Sequence, residues 1–217
     1  MRVLLFDTET NGLPKQFGAP IHALDNWPNI LSIAWQIWDM NVADSSQTLV
    51  EKRNYFLNPP PTLVWNAEAE KIHGLRRDFL ETEGHDIRVV LDEFMHAASA
   101  CQLIVAHNLK FDKSVLLAEM LRQNPKMVMN WWPRFEYCTC NNTKALCKLP
   151  SRQLRPNPSD PYKMPKLEEL WKFLYGGDAT FSFHSSEGDT ECLVQIFQEL
   201  LRRNVLDLGL WERSLRV

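Results

Sequence analysis

The sequence predicts an α/β protein with one mixed sheet of five strands, in which the first three strands run antiparallel, the later strands are parallel, and helices flank the sheet. Two observations favour this class. Three strand-like segments separated by polar turns occupy the first 58 residues, and the later segments alternate between helical periodicity and short apolar runs. No internal repeat or long linker interrupts the chain, so we expect one domain over residues 1–217.

The first three strands are predicted from apolar runs and from alternation. Residues 3–6 are four consecutive apolar residues, as expected of a strand that passes through a core. After a turn-rich loop, Leu31, Ile33, Trp35 and Ile37 alternate along the segment ILSIAWQIWD, which indicates a second strand. The segment TLVEKRNYFLNP follows a short polar turn, so we expect it to form a hairpin with the second strand.

Two helices are expected next. Asn66 precedes the segment AEAEKIH and Gly74 follows it, and both residue types are typical of helix ends. The segment DIRVVLDEFMHAASA carries apolar residues at helical spacing, namely Ile87, Val90, Leu91, Phe94 and Ala98.

The second half of the chain predicts a strand–helix–strand unit followed by helices. The segment QLIVAH reads as a strand that ends at His107, and a helix is expected from about residue 109 to 123. Residues 134–149 are expected to hold a short strand and a helix. Five prolines mark residues 150–165 as a loop, KLEELWKFLYGG predicts a helix ended by glycine, and the last helix is expected from about Glu187 to Asn204.

Composition and charge restrict the function classes. The chain is 45% hydrophobic and 24% charged, as in ordinary globular proteins, and no apolar run approaches the length of a membrane span. Its net charge of −3 gives no overall attraction to nucleic acid. Residues 144–166, however, carry one acid, Asp160, and six basic residues: Lys144, Lys148, Arg152, Arg155, Lys163 and Lys166. This segment is either a local phosphate-binding surface or a solvated loop.

The cysteines indicate a reducing compartment. Their number, five, is odd, their spacing is not that of a secreted scaffold, and no signal peptide precedes MRVLLF. We therefore expect an intracellular protein, cytoplasmic, nuclear or nucleoid. Cys138, Cys140 and Cys147 include no C-x-x-C pair, which favours free thiols over a zinc site.

Asp7 and Glu9 follow the apolar run of the first strand. Alternate residues of a strand point to the same side, so both carboxylates project together from the strand end. At a separation of about 4 Å and an effective dielectric constant near 20, two carboxylates repel each other by roughly 4 kcal/mol. Either both acids are solvated in a loop, or a cation neutralises them, or one of them stays protonated.

Two further acids occur at predicted helix starts. Asp112 lies in a first turn that Asn108 could cap, four residues before Leu116 and thus on the inward face. Its simpler interpretation is a favourable interaction with the helix dipole. Asp189 lies four residues before Leu193 on the last helix, and Ser186 with Asp189 also matches a capping box.

The four acids together predict a metal site. All-oxygen ligand sets select hard cations such as Mg²⁺ or Mn²⁺, and two such ions can support phosphodiester hydrolysis. His184, in the loop before the last helix, would be the general base, because imidazole is the side chain suited to proton transfer near neutral pH. A calcium-stabilised structural domain would need a contiguous ligand loop, and the sequence has none.

Three short segments carry a family resemblance. FDTET, HNLKFD and HSSEGD, in this order, resemble the three exonuclease motifs of the DEDDh subclass of the DnaQ superfamily, which includes polymerase proofreading subunits, TREX-type exonucleases and RNase T. KIHGL and YKMPKLEELWKFLYG are similar to further elements of that family, so the resemblance covers residues 1–203. The sequence departs from the family pattern at Ser186, where Ala is usual, and at Asn11, where Thr is common.

The resemblance implies an RNase H-like fold and a 3′→5′ exonuclease that releases nucleoside 5′-monophosphates. It implies that Asp7, Glu9, Asp112 and Asp189 hold two Mg²⁺ or Mn²⁺ ions and that His184 is the base. It also implies that the terminal nucleotide lies near a further set of residues: Thr8, Thr10, Gly12, His107, Asn108 and Phe111.

The expected ligand is therefore single-stranded nucleic acid or a 3′ end, with DNA favoured and RNA possible. A polymerase or another replication or repair protein is a further expected partner, and a membrane is not. The basic loop before the third motif could carry the incoming strand. The alternative function is a non-catalytic module of the same fold that binds nucleic acid or docks on a polymerase.

Overall fold

The computed structural model describes residues 1–41, 43–151, 160–177 and 180–215. Its centre is a five-stranded sheet with the strand order β3-β2-β1-β4-β5. The central strand β1 pairs antiparallel with β2 and parallel with β4, β2 pairs antiparallel with β3, and β4 pairs parallel with β5. This arrangement confirms the predicted fold class. The strands are β1, Arg2–Thr10; β2, Ile30–Met40; β3, Gln47–Phe56; β4, Leu103–Ala106; and β5, Phe135–Cys138.

Eight α-helices and one short 3-10 helix, Leu24–Asn26, lie in the part of the chain that the structure describes. The 3-10 helix, the second α-helix and the eighth were not predicted from the sequence. The α-helices are α1, Ala67–His73; α2, Arg77–Glu83; α3, Ile87–Ser99; α4, Leu109–Gln123; α5, Thr139–Cys147; α6, Leu167–Tyr175; α7, Ser186–Arg202; and α8, Leu208–Leu215. None of them is long and apolar enough to cross a membrane.

Strand β1 separates two hydrophobic cores because its side chains alternate between the two faces of the sheet. Leu4 and Phe6 point into a core shared with β2, α3 and α4. Val3 and Leu5 point to the opposite face, into a core shared with α6 and α7. All four side chains are fully buried, so the strand register is fixed by burial on both faces.

Helix caps agree with the sequence prediction at α1 and differ at two other helices. The Asn66 side chain accepts hydrogen bonds from two backbone N–H groups, and Gly74 ends α1 with φ 72°, both as predicted. Asn108 occupies the position before α4, but its backbone is left-handed, with φ 65°, and its side chain forms no cap hydrogen bond. The predicted capping box of Ser186 with Asp189 is wrong, because Ser185 caps α7 by accepting from the Gly188 N–H.

The basic segment is only partly described. Arg152 and Arg155, with half of the predicted proline-rich loop, lie outside the described residues. Where the structure describes the segment, three of its lysines form ion pairs: Lys144 with Asp160, Lys163 with Glu169, and Lys166 with Glu168. These pairs reduce the positive charge that the segment offers to a phosphate backbone. None of the five cysteines forms a disulfide.

Candidate active site

The sheet brings the first two acids to the edge where β1, β4 and β5 all end. In β1, Asp7 lies opposite Ala34 of β2, and Glu9 lies opposite Ser32. Both acids follow the alternation of Val3 and Leu5, and they therefore face the side of the sheet that α7 covers. Helices α4 and α5 begin at the same edge, because β4 and β5 run parallel to β1.

Asp189 meets this pair from the first turn of α7. One carboxylate oxygen from each of Asp7, Glu9 and Asp189 lies within 4.8 Å of the others. Asp189 Oδ2 accepts a hydrogen bond from the His184 backbone N–H at 3.2 Å, whereas Oδ1 is buried and forms no hydrogen bond. A buried oxygen without a donor is costly unless another group binds it. Three of the four acids that were expected to form one site therefore converge.

Polar contacts hold the first turns of α7 against the sheet. The Ser186 hydroxyl lies 3.0 Å from the Ser32 hydroxyl of β2, and Thr190 donates to the Ala34 carbonyl at 3.3 Å. On β3, Lys52 pairs with two acids of α7, Glu187 at 2.8 Å and Glu191 at 2.6 Å. Asp189 therefore lies on an element that is anchored to two strands.

Gly188 allows the loop before α7 to approach the helix. A Cβ atom at this position would lie 2.3 Å from the Ser182 carbonyl oxygen and 2.8 Å from the Ser185 hydroxyl. No real side chain tolerates the first contact, so a residue larger than glycine would displace either the loop or the helix. This loop contains His184, which gives Gly188 a direct influence on the site.

Asp112 approaches from the other face of the sheet. Its side chain is buried in the first turn of α4, and Thr8 of β1 donates a 2.8 Å hydrogen bond to its Oδ1. Asp112 is not one of the three acids within 4.8 Å of one another. The negative charge of Asp112 nevertheless raises the pKa of both Asp7 and Glu9.

Burial raises the pKa of every acid in this cluster, and repulsion between the acids adds to the effect at Asp7 and Glu9. Burial raises the pKa of Asp7 well above its usual value, and the charges of Asp112, Asp189 and Glu9 add to the effect. For the same reasons the pKa of Glu9 rises to about 8. Burial raises the pKa of Asp112 to about 7 and that of Asp189 to about 6, although the Thr8 and His184 hydrogen bonds oppose the shifts. At neutral pH the cluster therefore retains protons unless a cation replaces them.

The donor set fits a hard divalent cation. Carboxylate oxygens from two elements converge within 4.8 Å, and one of them, Asp189 Oδ1, has no hydrogen-bond donor. Mg²⁺ and Mn²⁺ prefer oxygen ligands of this type. Asp7, Glu9 and Asp189 are thus the acids best placed to hold a cation, with Asp112 beside them.

His184 lies at the solvent side of the cluster. It is exposed, and its backbone adopts the left-handed conformation with φ 64°, which is uncommon for a residue with a side chain. Its N–H is bound to Asp189, so the backbone of His184 is tied to the acidic cluster while the imidazole remains accessible to solvent.

The predicted substrate-side residues occupy the rim of the same edge. Thr10 is buried and donates to the Gly12 carbonyl at 2.7 Å, and Gly12 has φ 121°. Asn11 binds the segment before α1, donating to the Val64 carbonyl and accepting from the Asn66 N–H. Across the site, at the start of α4, Asn108 is exposed and Phe111 packs partly on the core.

His107 is held by the protein through both ring nitrogens. Nε2 lies 3.0 Å from the Pro165 carbonyl, which can only accept, so Nε2 carries the proton and Nδ1 accepts from the Thr139 hydroxyl at 2.9 Å. Burial lowers the pKa of His107 to about 4, which keeps the ring neutral. His107 thus joins the end of β4 to α5 and to the segment before α6. Sequence analysis missed this link because its partners lie 32 and 58 residues away.

Comparisons with known proteins identify the fold. No protein-family model and no curated protein sequence matches this chain. Among solved structures, Escherichia coli exonuclease I in complex with a dT13 oligonucleotide is similar with a TM-score of 0.69 and 14% identity, covering 99% of this chain and 43% of that one. The zinc-bound form of the E. coli exonuclease I complex with single-stranded DNA gives 0.68 at 16% identity, covering 93% and 40%.

Exonuclease I from Methylocaldum szegediense is also similar, with a TM-score of 0.66 and 15% identity, covering 93% of this chain and 40% of that one. The chain therefore spans about two fifths of the length of these structures. It has the RNase H-like fold of exonuclease I, as the sequence predicted. At these identities the similarity establishes the fold alone.

Proposed function

We propose that this protein is a metal-dependent 3′→5′ exonuclease that hydrolyses the terminal phosphodiester of single-stranded nucleic acid, with DNA as the favoured substrate, and releases nucleoside 5′-monophosphates. The observation that carries the proposal is the convergence of Asp7, Glu9 and Asp189 within 4.8 Å, at the open edge of an exonuclease fold. Clustered carboxylates would repel a phosphate backbone unless cations neutralised them, so the cluster favours catalysis over simple binding.

In this proposal the four acids hold two Mg²⁺ or Mn²⁺ ions: Asp7, Glu9 and Asp189 directly, and Asp112 with its orientation fixed by Thr8. Bound divalent ions supply an activated water and stabilise the charge on the leaving oxygen. The exposed imidazole of His184 accepts the proton of the attacking water. Its backbone link to Asp189 keeps it beside the acids.

The rim of the site positions the nucleic-acid end. We assign the contacts with the terminal nucleotide to the backbone of Thr8, Thr10 and Gly12, and to the start of α4 with Asn108 and Phe111. His107 supports that start, because its two hydrogen bonds fix the end of β4. The preference for single-stranded DNA rests on the structural neighbours that contain dT13 and dA16 oligonucleotides.

The decisive experiment follows the degradation of 5′-labelled single-stranded DNA, duplex DNA and single-stranded RNA of one sequence with Mg²⁺, Mn²⁺ or EDTA. We expect shortening from the 3′ end, nucleoside 5′-monophosphates as products, and no reaction in EDTA. The Asp7→Asn variant should be inactive, and the exposed-acid control Asp25→Asn should behave as wild type. Tight binding without metal-dependent shortening would instead support a non-catalytic nucleic-acid-binding module.

A further inference from the structure

The segment that joins β1 to β2, residues 11–29, is longer than the two strands require. Strands β1 and β2 are adjacent and antiparallel, and two to five residues commonly connect such a pair. This β1–β2 loop begins at the acidic edge of the sheet, directly after Thr10. All of its residues are described, and its single regular element is the 3-10 helix Leu24–Asn26. Loops of this length are usually either functional or disordered, so the contacts that hold it in place bear on the site.

Arg122, in the last turn of α4, holds the loop through its backbone carbonyls. Nη2 donates to the Leu24 carbonyl at 2.7 Å and to the Trp27 carbonyl at 2.5 Å. Nη1 donates to the Pro28 carbonyl at 3.5 Å. The planar guanidinium carries five N–H donors and can serve several carbonyls at once, whereas the ammonium of a lysine is a point charge. This set of contacts therefore depends on arginine and not on positive charge alone.

Glu119, three residues earlier on the same face of α4, binds the end of the loop. Its carboxylate is buried, with 1% of the side chain exposed, and Oε1 accepts from the Asn29 side chain at 2.8 Å and from the Ile30 N–H at 3.0 Å. Arg122 Nη1 lies 3.0 Å from the same oxygen. A buried carboxylate is costly unless it is paired and hydrogen-bonded, and these three donors satisfy that requirement. We call the two residues the Glu119–Arg122 brace.

The brace reaches the rim of the site through one further hydrogen bond. The Asn29 carbonyl accepts from the Asn11 N–H at 2.9 Å, and the next residue is Gly12, whose backbone we assign to the terminal nucleotide. Farther along the loop, the Lys15 N–H donates to the Asn26 carbonyl at 3.0 Å. The two ends of the loop are thus tied to each other, and one of them is tied to α4.

The loop also reaches the start of α4, on the other side of the site. Ile21 lines a cavity of about 270 Å³ together with Leu109 and Lys110, the first two residues of that helix. These residues adjoin Asn108 and Phe111, which are also assigned to the nucleotide. The β1–β2 loop therefore borders both parts of the rim that we assign to substrate binding.

We infer that Glu119 and Arg122 are positioning residues for the nucleic-acid end, which they orient by holding the β1–β2 loop against α4. The inference rests on the proposed exonuclease function. Arg122 lies in the last turn of α4 and Asp112 in the first, about 15 Å apart along the helix axis, so the brace stays away from the acids. A loop that is already ordered spends less free energy on ordering when substrate binds. Loss of the brace should therefore weaken substrate binding and spare the chemical step.

Hydrogen exchange of the substrate-free protein tests the ordering of the loop. In Arg122→Lys we expect the amides of Asn11 and Lys15 to exchange about tenfold faster, the factor that corresponds to roughly one hydrogen bond, while the amides of α7 keep the wild-type rate. Arg88→Lys is the matched control, because Arg88 forms an exposed ion pair with Asp86 on the surface. Wild-type exchange of the loop in Arg122→Lys would overturn the inference.

Steady-state kinetics on 5′-labelled single-stranded DNA with Mg²⁺ separates positioning from stability. Arg122→Lys should raise KM about tenfold and leave kcat within about twofold of wild type. A variant that is only less stable would lose kcat with its folded fraction and keep KM, and that result would also overturn the inference. Glu119→Gln retains an acceptor oxygen and should have the wild-type KM, whereas Glu119→Met should resemble Arg122→Lys. Equal KM values for these two Glu119 variants would remove Glu119 from the brace.

Fluorescence anisotropy with a labelled single-stranded oligonucleotide keeps this test separate from the proposed activity. If the wild type degrades no substrate, the exonuclease function is refuted, and the affinity of Arg122→Lys for the oligonucleotide decides the inference. We expect binding about tenfold weaker than that of wild type and of Arg88→Lys. Equal affinities of the three proteins would overturn the role of the brace.

Discussion

The Thr8 hydroxyl donates a 2.8 Å hydrogen bond to Asp112 Oδ1 between two buried side chains that are 104 residues apart in sequence. This contact crosses from β1 to the first turn of α4 and orients one acid of the cluster relative to the others. Partners of this kind tune a metal ligand by fixing its direction. The same hydrogen bond lowers the pKa of Asp112 against the larger effect of burial.

We expect Thr8→Val to weaken Mg²⁺ binding by roughly 10- to 100-fold, as is usual when a partner that orients a ligand is removed. The shape of the side chain is nearly unchanged, so the loss of the hydroxyl is the main effect. Thr8→Ser keeps the donor and should bind the ion almost as wild type. Titration of Mg²⁺ by isothermal calorimetry measures both variants, and equal affinities for Val and Ser would contradict the role of Thr8.

Asp7→Asn should abolish hydrolysis, with a loss greater than the roughly 10- to 100-fold expected for an orienting partner, because Asp7 is assigned a direct role in metal binding. The metal-free variant should nevertheless be more stable than wild type at pH 8, since it lacks one of the mutually repelling charges. Single-turnover kinetics measures the loss of hydrolysis, and thermal unfolding at pH 8 measures the gain in stability. A variant with wild-type turnover would remove Asp7 from the mechanism.

Metal-free protein should lose stability as pH rises from about 5 to about 8. Each acid of the cluster has its pKa raised in the folded state, so the folded protein binds more protons than the unfolded chain in this range. The free energy of unfolding therefore decreases with pH, and Mg²⁺ should restore it at pH 8. Urea unfolding at several pH values measures the slope. Glu9→Gln, which cannot ionise, should flatten the slope; an unchanged slope would show that folding does not raise the pKa of Glu9.

Gly188→Ala should destabilise the fold by about 1–3 kcal/mol, the usual cost of overpacking, although alanine is ordinarily the better helix residue. The added Cβ meets the Ser182 carbonyl at 2.3 Å and forces the loop that carries His184 away from α7. We also expect a lower kcat, and a larger decrease than the loss of stability alone explains. Gly177→Ala is the matched control, because nothing lies within 4 Å of its Cβ. Similar unfolding curves and rates for both variants would be the contrary result.

The parts of the fold that burial dictates could be predicted from the sequence. The periodicity of α3 matches the residues that the core buries, and Ile33, Trp35 and Ile37 of β2 lie in the same core. The residues between them are buried as well, so burial along β2 does not follow the predicted alternation. Helix α2 has seven residues, one buried side chain and no side-chain cap, so its sequence carries little helical signal. Helix α8 buries little apolar surface, and it was missed for the same reason.

The sequence predicts those acids of the candidate site whose side-chain direction follows from their position in a strand or helix. Asp7 and Glu9 follow from the alternation of β1, and Asp189 from the apolar face of α7. The contacts that orient the acids were not predictable, because they join distant segments. The cap at Ser185 rather than Ser186 depends on where α7 meets β2, where Ser186 is engaged by Ser32.

The order of the acids along the chain also determines when the cluster can form during synthesis. Asp7 and Glu9 lie on β1 and are therefore synthesised before Asp189, which lies on α7, near the other end of the described residues. Domains generally fold as units as the amino-terminal part emerges first. A nascent or proteolysed chain that lacks α7 therefore presents Asp7 and Glu9 without Asp189, and it cannot assemble the proposed cation site. The three acids can therefore come together only in a chain that has been translated at least through α7.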